Sequence, residues 1–135
     1  MTNSERAYNY LKECGTFFYC TVDNGMPRVR PFGFLMMYEG KIYFGGGKHK
    51  EFFKQTMANP NFEICAVAPD KKWIRIKGTA VLDDRPEVMD AVFATSPYLR
   101  NLYNEENGRV IGNFYMKDAH VEIADIFTYF EQYDF

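Results

Sequence analysis

Between residues 16 and 45 the chain alternates β-rich runs with short turn signals, and this alternation constrains the fold more than any other feature. Thr16 to Val22 is dense in β-branched and aromatic residues, the side chains that suit a pleated surface. Asp23-Asn24-Gly25 follows, and Asn and Gly both tolerate the positive φ that a tight hairpin turn demands. A second run from about Arg28 to Met37 turns at Glu39-Gly40 and returns as Lys41 to Gly45. Antiparallel hairpins are the expected unit.

The remaining elements fit around those hairpins. Thr2 with Glu5 forms a capping box for a helix to about Cys14, with Ala7, Tyr8, Leu11 and Cys14 on one side and Gly15 ending it. Gly45, Gly46 and Gly47 precede Lys48-His49-Lys50 and an amphipathic helix from Glu51 to Met57, stopped by Asn59-Pro60. Strands are expected over Phe62 to Ala68 and Trp73 to Leu82, joined by the turn Pro69 to Lys72. Asp84-Arg85-Pro86-Glu87 starts a helix with Met89, Val92 and Phe93 buried, and Ser96-Pro97 starts another through Tyr103. After a loop, Asn104 to Gly108, come strands over Val110 to Met116 and His120 to Phe130. No repeat breaks the chain, so residues 1–135 read as a single domain. Its class is mostly β with helices (α+β), an antiparallel barrel with helices at its openings.

Composition narrows the function. Thirteen Phe, ten Tyr and one Trp suit a β-rich core, a dimer interface or a planar ligand. No apolar run approaches the ~18 residues of a membrane span, and the start Met-Thr-Asn-Ser-Glu-Arg lacks secretory signal features. Cys14, Cys20 and Cys65 have no paired spacing and read as thiols of a reducing compartment. A cytoplasmic protein without a membrane partner is expected. A net charge of −2 argues against a dedicated nucleic-acid binder.

That small net charge hides an asymmetry. Arg28 to Lys77 holds ten bases against four acids, whereas Asp83 to the end holds four bases against eleven acids. Strand alternation puts Arg28, Arg30 and Phe32 on one side. It likewise groups Trp73, Arg75, Lys77 and Thr79, with Ile74, Ile76, Ala80 and Leu82 toward the core. Lys48 and Lys50 lie just before a helix N-terminus, where free N–H groups favour an anion. Forked guanidinium donors match phosphate oxygens in pairs, so a planar ring carrying a phosphate, such as a monophosphate flavin, fits. The same charges also read as a polar loop and surface ion pairs.

Other chemistries find little support. A phosphate loop ending in Gly47-Lys48 would need Gly at 42 and Ser or Thr at 49, but Ile42 and His49 stand there. Lys50 occupies the third glycine position of a dinucleotide motif. His49 and His120 are the two histidines, read as a loop and a strand-edge residue, and no ligand spacing points to a metal. Either could be a haem axial ligand, though nothing favours it. Asp83-Asp84 reads as a helix cap, no serine sits in a nucleophile elbow, and the cysteines lack an activating base.

An ordered set of segments does carry a resemblance. Gly25-Met-Pro-Arg-Val-Arg-Pro-Phe-Gly33, Gly40-Lys-Ile-Tyr-Phe44, Phe53-Lys-Gln55, Asn59-Pro-Asn-Phe-Glu-Ile-Cys65 and Trp73-Ile-Arg-Ile-Lys-Gly78 together resemble the pyridoxamine 5′-phosphate oxidase-like proteins with the FMN-binding split barrel. The small nitroimidazole-resistance-type branch is the most similar in pattern. The resemblance implies FMN as cofactor in a homodimer with FMN at the subunit interface. It places Arg28, Val29, Arg30, Pro31 and Phe32 along the cofactor, with Arg28 on its phosphate. It also puts Gly45, Gly46, Lys48 and Lys50 at the phosphate, and Trp73 and Arg75 at the ring from the second subunit.

Two departures stand out. Three glycines replace the Thr, Ser or Asn of many relatives, and the tail Ile123 to Phe135 has no base to grip a substrate phosphate. Pyridoxamine phosphate oxidation is therefore not expected. The resemblance implies an FMN-dependent oxidoreductase, reducing a small organic substrate, with catalytic residues unassigned. The alternatives are a non-catalytic flavin, deazaflavin or haem binding protein and an interaction domain for an acidic partner.

Overall fold

The computed structural model describes residues 1–135, the side chain of Tyr129 excepted. In chain order the elements are α1 (Asn3–Cys14), β1 (Phe17–Asp23), β2 (Met26–Phe32), β3 (Met36–Tyr38), β4 (Lys41–Gly47) and α2 (Glu51–Ala58). There follow β5 (Asn61–Val67), β6 (Trp73–Leu82), α3 (Pro86–Thr95), α4 (Leu99–Leu102), β7 (Ile111–Ala124) and β8 (Tyr129–Asp134). The strands form one sheet in the order β2-β1-β5-β6-β7-β4-β3, with β8 also on β7. Every pairing is antiparallel.

The edge strands β2 and β3 are separated by Gly33 to Leu35 alone. Extended chain covers at most ~3.6 Å per residue, so Phe32 and Met36 lie within about 14 Å of one another. Seven flat strands spaced ~4.8 Å apart would put those edges about 29 Å apart. The sheet must curl until its edges face each other. No described ladder joins β2 to β3, so the barrel stays split there. The expected single strand from Arg28 to Met37 is thus two, because its halves pair at opposite edges.

Local chemistry explains most boundaries. Thr2 Oγ1 accepts the Glu5 N–H at 3.1 Å, and Gly15, with φ 83°, ends α1 by donating to Leu11. Asn24 and Gly25 take φ 50° and 78°, closing the first hairpin with Asp23 opposite Met26. In such a two-residue hairpin the even residues of β2 bond to β1 and the odd ones face the open edge. Pro27 and Pro31 occupy odd positions, where their missing N–H costs no ladder bond. The strands expected over Val110 to Met116 and His120 to Phe130 prove to be one long β7, then a turn and β8. Asp118, at φ 50°, and Ala119 form a bulge in β7 opposite Gly78 alone.

Much of the aromatic surplus is core. Tyr19 lies 5.3 Å from Phe32, 4.9 Å from Phe44 and 5.8 Å from Phe62, ring centre to ring centre. Phe52 of α2 plugs the barrel end edge-on to Phe32 and Tyr19. Ile74, Ile76 and Ala80 are buried as expected. Under α3 a second cluster joins Val88 and Val92 to Met36, Tyr43 and Ile111, with Met89 and Phe93 only half-buried.

The Asp83-Asp84 pair differs from its expected role as a cap. Arg85 is the N-cap residue, and Asp83 is a buried anchor. Its carboxylate accepts from the Tyr43 hydroxyl at 2.7 Å and from Arg85 Nε at 2.9 Å. Arg85 also forks onto Glu39 at 3.3 and 3.2 Å, tying α3 to the turn between β3 and β4. Hydrogen bonding from Arg85, against the opposing effect of burial, pulls the Asp83 pKa down to about 2. A depressed carboxylate stabilises the fold above its unfolded pKa of ~3.9 and loses that contribution as pH falls toward its folded value. The stability gap between wild type and Asp83→Asn should therefore narrow between about pH 4 and pH 2; a gap independent of pH would contradict this. Tyr43→Phe should cost roughly 1.5–3 kcal/mol at neutral pH in denaturant unfolding.

Candidate functional site

The β1–β2 register sets Arg30 opposite Tyr19 and Arg28 opposite Thr21. Tyr19 and Thr21 are buried, so both arginines lie on the sheet face that α2 covers. Arg28 is exposed, whereas Arg30 is half-buried. Arg30 Nη1 donates to Thr21 Oγ1 at 2.8 Å, and Nη2 donates to Gln55 Oε1 at 2.6 Å. All of its described partners are neutral oxygens, the others being the Tyr19 and Arg28 carbonyls. Partial burial, together with the like charge of Arg28, holds its pKa below the ordinary arginine value. Phe32 turns its ring inward between Tyr19 and Phe52.

Gln55 is the fifth residue of α2, about 6 Å along the helix from Glu51, so Arg30 meets α2 at mid-length, one turn on from Lys50. The turn into α2 is closed by Lys48 N–H to the Val110 carbonyl at 2.8 Å and Lys50 N–H to the Gly47 carbonyl at 3.0 Å. Lys50 is the N-cap residue, and a lysine side chain cannot accept a hydrogen bond. The first turn thus lacks the side-chain acceptor that usually occupies its N–H groups. Glu51 directs its carboxylate to Lys54 at 3.5 Å. Lys48 pairs with Asp84 at 3.1 Å, while Lys50 has no ion-pair partner among the described residues.

Gly45, Gly46 and Gly47 belong to β4 and pair with Asn113, Gly112 and Ile111; they are not a loop. Their lack of side chains makes room for rings. A Cβ on Gly46 would come 2.8 Å from the Phe52 ring, and one on Gly112 would come 2.7 Å from Phe53. Tyr103 packs at Gly47 and His49, and forms one wall of an apolar cavity of about 260 Å³ with Met89, Phe93, Val110 and Ile111.

The other candidates lie on the opposite face. Val29 and Pro31 sit beside Cys20 and Phe18, which neighbour Glu63 and Cys65 of β5, and Cys65 is opposite Arg75. Trp73 and Arg75 therefore point away from Arg28 and Arg30 of the same chain. Arg75 pairs with Glu122 at 2.7 Å, and His120 Nδ1 lies 2.6 Å from Asp134. Apolar groups are exposed on this face: Phe18 at 48%, Val29 at 65% and Val67 at 54%. Cys14 and Cys65 are free, and burial raises both thiol pKa values, Cys14 to about 11. Among the described residues no cluster of three or more His, Cys, Asp or Glu could hold a metal. No described helix is long and apolar enough to cross a membrane.

Thr21 was not singled out by sequence, and Gln55 entered only as the end of the Phe53-Lys-Gln55 segment, with no role assigned. Their signal is polarity at apolar positions: Thr21 alternates inward with Phe17 and Tyr19, and Gln55 lies on the buried side of α2 with Phe52.

An antiparallel split barrel with helices packed at its ends defines a recognisable class. The family model described as pyridoxamine 5′-phosphate oxidase matches residues 4–120, and the chain belongs to that family. A NimC/NimA family protein from Clostridium acetobutylicum is 35% identical, with a TM-score of 0.90 over 98% of this chain and 92% of that one. A pyridoxamine 5′-phosphate oxidase-related, FMN binding protein from Nostoc punctiforme shares the fold at 16% identity and TM-score 0.69, covering 93% of this chain and 86% of that one. A heme binding protein from Mycobacterium smegmatis shares it at 13% identity and TM-score 0.73, over 99% of this chain and 58% of that one. A search of curated protein sequences finds no match.

The glycine packing is directly testable. Phe52 is hemmed in by Tyr19, Phe32 and Phe114 and cannot retreat. Gly46→Ala should lose about 1–3 kcal/mol of unfolding free energy. An unchanged denaturation midpoint would show that the glycine makes no room for the ring.

Proposed function

We propose that this chain is an FMN-binding flavoprotein acting as an FMN-dependent reductase of a small organic substrate. The observation that carries the reading is charge without counter-charge. Arg28 and Arg30 share one sheet face, Arg30 is half-buried with hydrogen bonds to neutral oxygens alone, and neither they nor Lys50 make an ion pair among the described residues. A phosphomonoester dianion supplies the missing charge, and the uncapped turn of α2 offers it backbone donors.

FMN, when bound, supplies the electron-transfer chemistry, so the chain needs no catalytic dyad of its own. Arg28 and Lys50 anchor the phosphate. Val29, between two prolines on the open edge of β2, carries an N–H free to hold the ring. The apolar cavity beside Tyr103 suits a small organic molecule. The exposed apolar face with Trp73 and Arg75 suits a second copy, whose Trp73 and Arg75 then cover the ring in a homodimer. Free thiols fit a cytoplasmic setting. The FMN binding relative from Nostoc supports the cofactor at the level of fold.

Purified protein should show flavin absorption or quench the fluorescence of added FMN. Arg28→Ala with Lys50→Ala should weaken FMN binding by roughly 10- to 100-fold. NADH or NADPH should reduce the bound flavin; a flavin that neither reduces would make this a binding module. Absence of any flavin binding would remove the reading, and a haem spectrum would replace it.

A further inference from the structure

We infer that Thr21 and Gln55 are positioning residues that hold Arg30 as a two-pronged receptor for a phosphoryl group, an inference that rests on the FMN reading for the identity of its ligand. Arginine has five N–H donors and no acceptor, so the Gln55 atom facing it is the carbonyl oxygen. Gln55 Oε1 also accepts from Thr21 Oγ1 at 2.6 Å. Thr21 Oγ1 therefore spends its proton on Gln55 and keeps a lone pair for Arg30 Nη1 at 2.8 Å.

The two acceptors are 2.6 Å apart, and one serves Nη1 while the other serves Nη2. That spacing seats them together on the outer edge of the guanidinium. The side edge remains: Nε–H and the second Nη2 hydrogen, with no acceptor among the described residues. Nε is not among the buried atoms lacking a partner, so it stays open to solvent. Two parallel N–H donors on one edge match two oxygens of a phosphoryl group.

The clasp is rigid because both holders are buried, Thr21 1% exposed and Gln55 6%. Arg30 is thus ordered before any ligand arrives, which removes part of the ordering cost of binding. A carboxylate in place of Gln55 would neutralise the guanidinium. A neutral amide aims it and leaves its charge for the ligand.

The test compares FMN with riboflavin, which lacks the phosphate, in wild type, Gln55→Leu, Thr21→Val and Thr21→Ser. The Arg30 Nε–Hε NMR resonance is followed in flavin-free protein during titration with inorganic phosphate. The Leu and Val variants should weaken FMN at least about tenfold and leave riboflavin within twofold, Thr21→Ser should bind FMN as wild type, and phosphate should shift the wild-type resonance. Equal losses for both flavins would show a merely structural role and overturn the inference, as would unchanged FMN affinity or a silent resonance. If wild type binds neither flavin yet phosphate still shifts the Arg30 resonance, and less so in Gln55→Leu, the FMN reading falls and the receptor stands.

Discussion

The three-residue passage from β2 to β3 governs the rest of the molecule. Because Gly33 to Leu35 must bridge opposite ends of a seven-strand path, the sheet has to roll up, and rolling creates an interior with an open end. α2, entering directly from β4, fills that end with Phe52 and brings Gln55 and Thr56 against β1. The polar groups inside are then obliged to find one another. Tyr19 pairs with Thr56, and Thr21 pairs with Gln55 and Arg30. The position of Arg30 is thus tied to closure, since the side-chain oxygens it bonds come from β1 and from α2.

Electrostatics follows from the same geometry. Several acids are engaged away from β2: Asp83 and Glu39 hold Arg85, Asp84 holds Lys48, and Glu122 holds Arg75. Arg28, Arg30 and Lys50 keep no acidic partner among the described residues. A surface ion pair is worth little to stability, so the distinctive cation is Arg30, half-buried and bonded to neutral oxygens alone. The sequence-predicted site residues are split between two sheet faces, with Trp73 and Arg75 pointing away from Arg28 and Arg30.

Much of this was legible in the chain itself. Hairpin turns at Asn24-Gly25 and Glu39-Gly40, the span of β6 and the cap of α1 follow from local rules of φ and hydrogen bonding. Alternation placed Arg28 and Arg30 together. The glycines of β4 were not legible, because Gly-rich sequence suggests a loop and only the neighbouring Phe52, Phe53 and Tyr103 rings show why a strand needs them. The continuity of β7 was hidden by Lys117-Asp118, which resembles a turn until Gly78 is seen to make room across the ladder. Asp83 was hidden for a similar reason: its partner Tyr43 is forty residues away, beyond the reach of any capping rule.

The central claim is that unpaired cations on β2 and at the head of α2 converge on one phosphoryl group. A crystal structure of the protein grown with FMN tests it most directly. The phosphate should lie within hydrogen-bond distance of Arg28 and Arg30 on β2 and of Lys50 or the first-turn N–H groups of α2. A phosphate seated instead against Arg75 and Lys77, on the far face of the sheet, would contradict it.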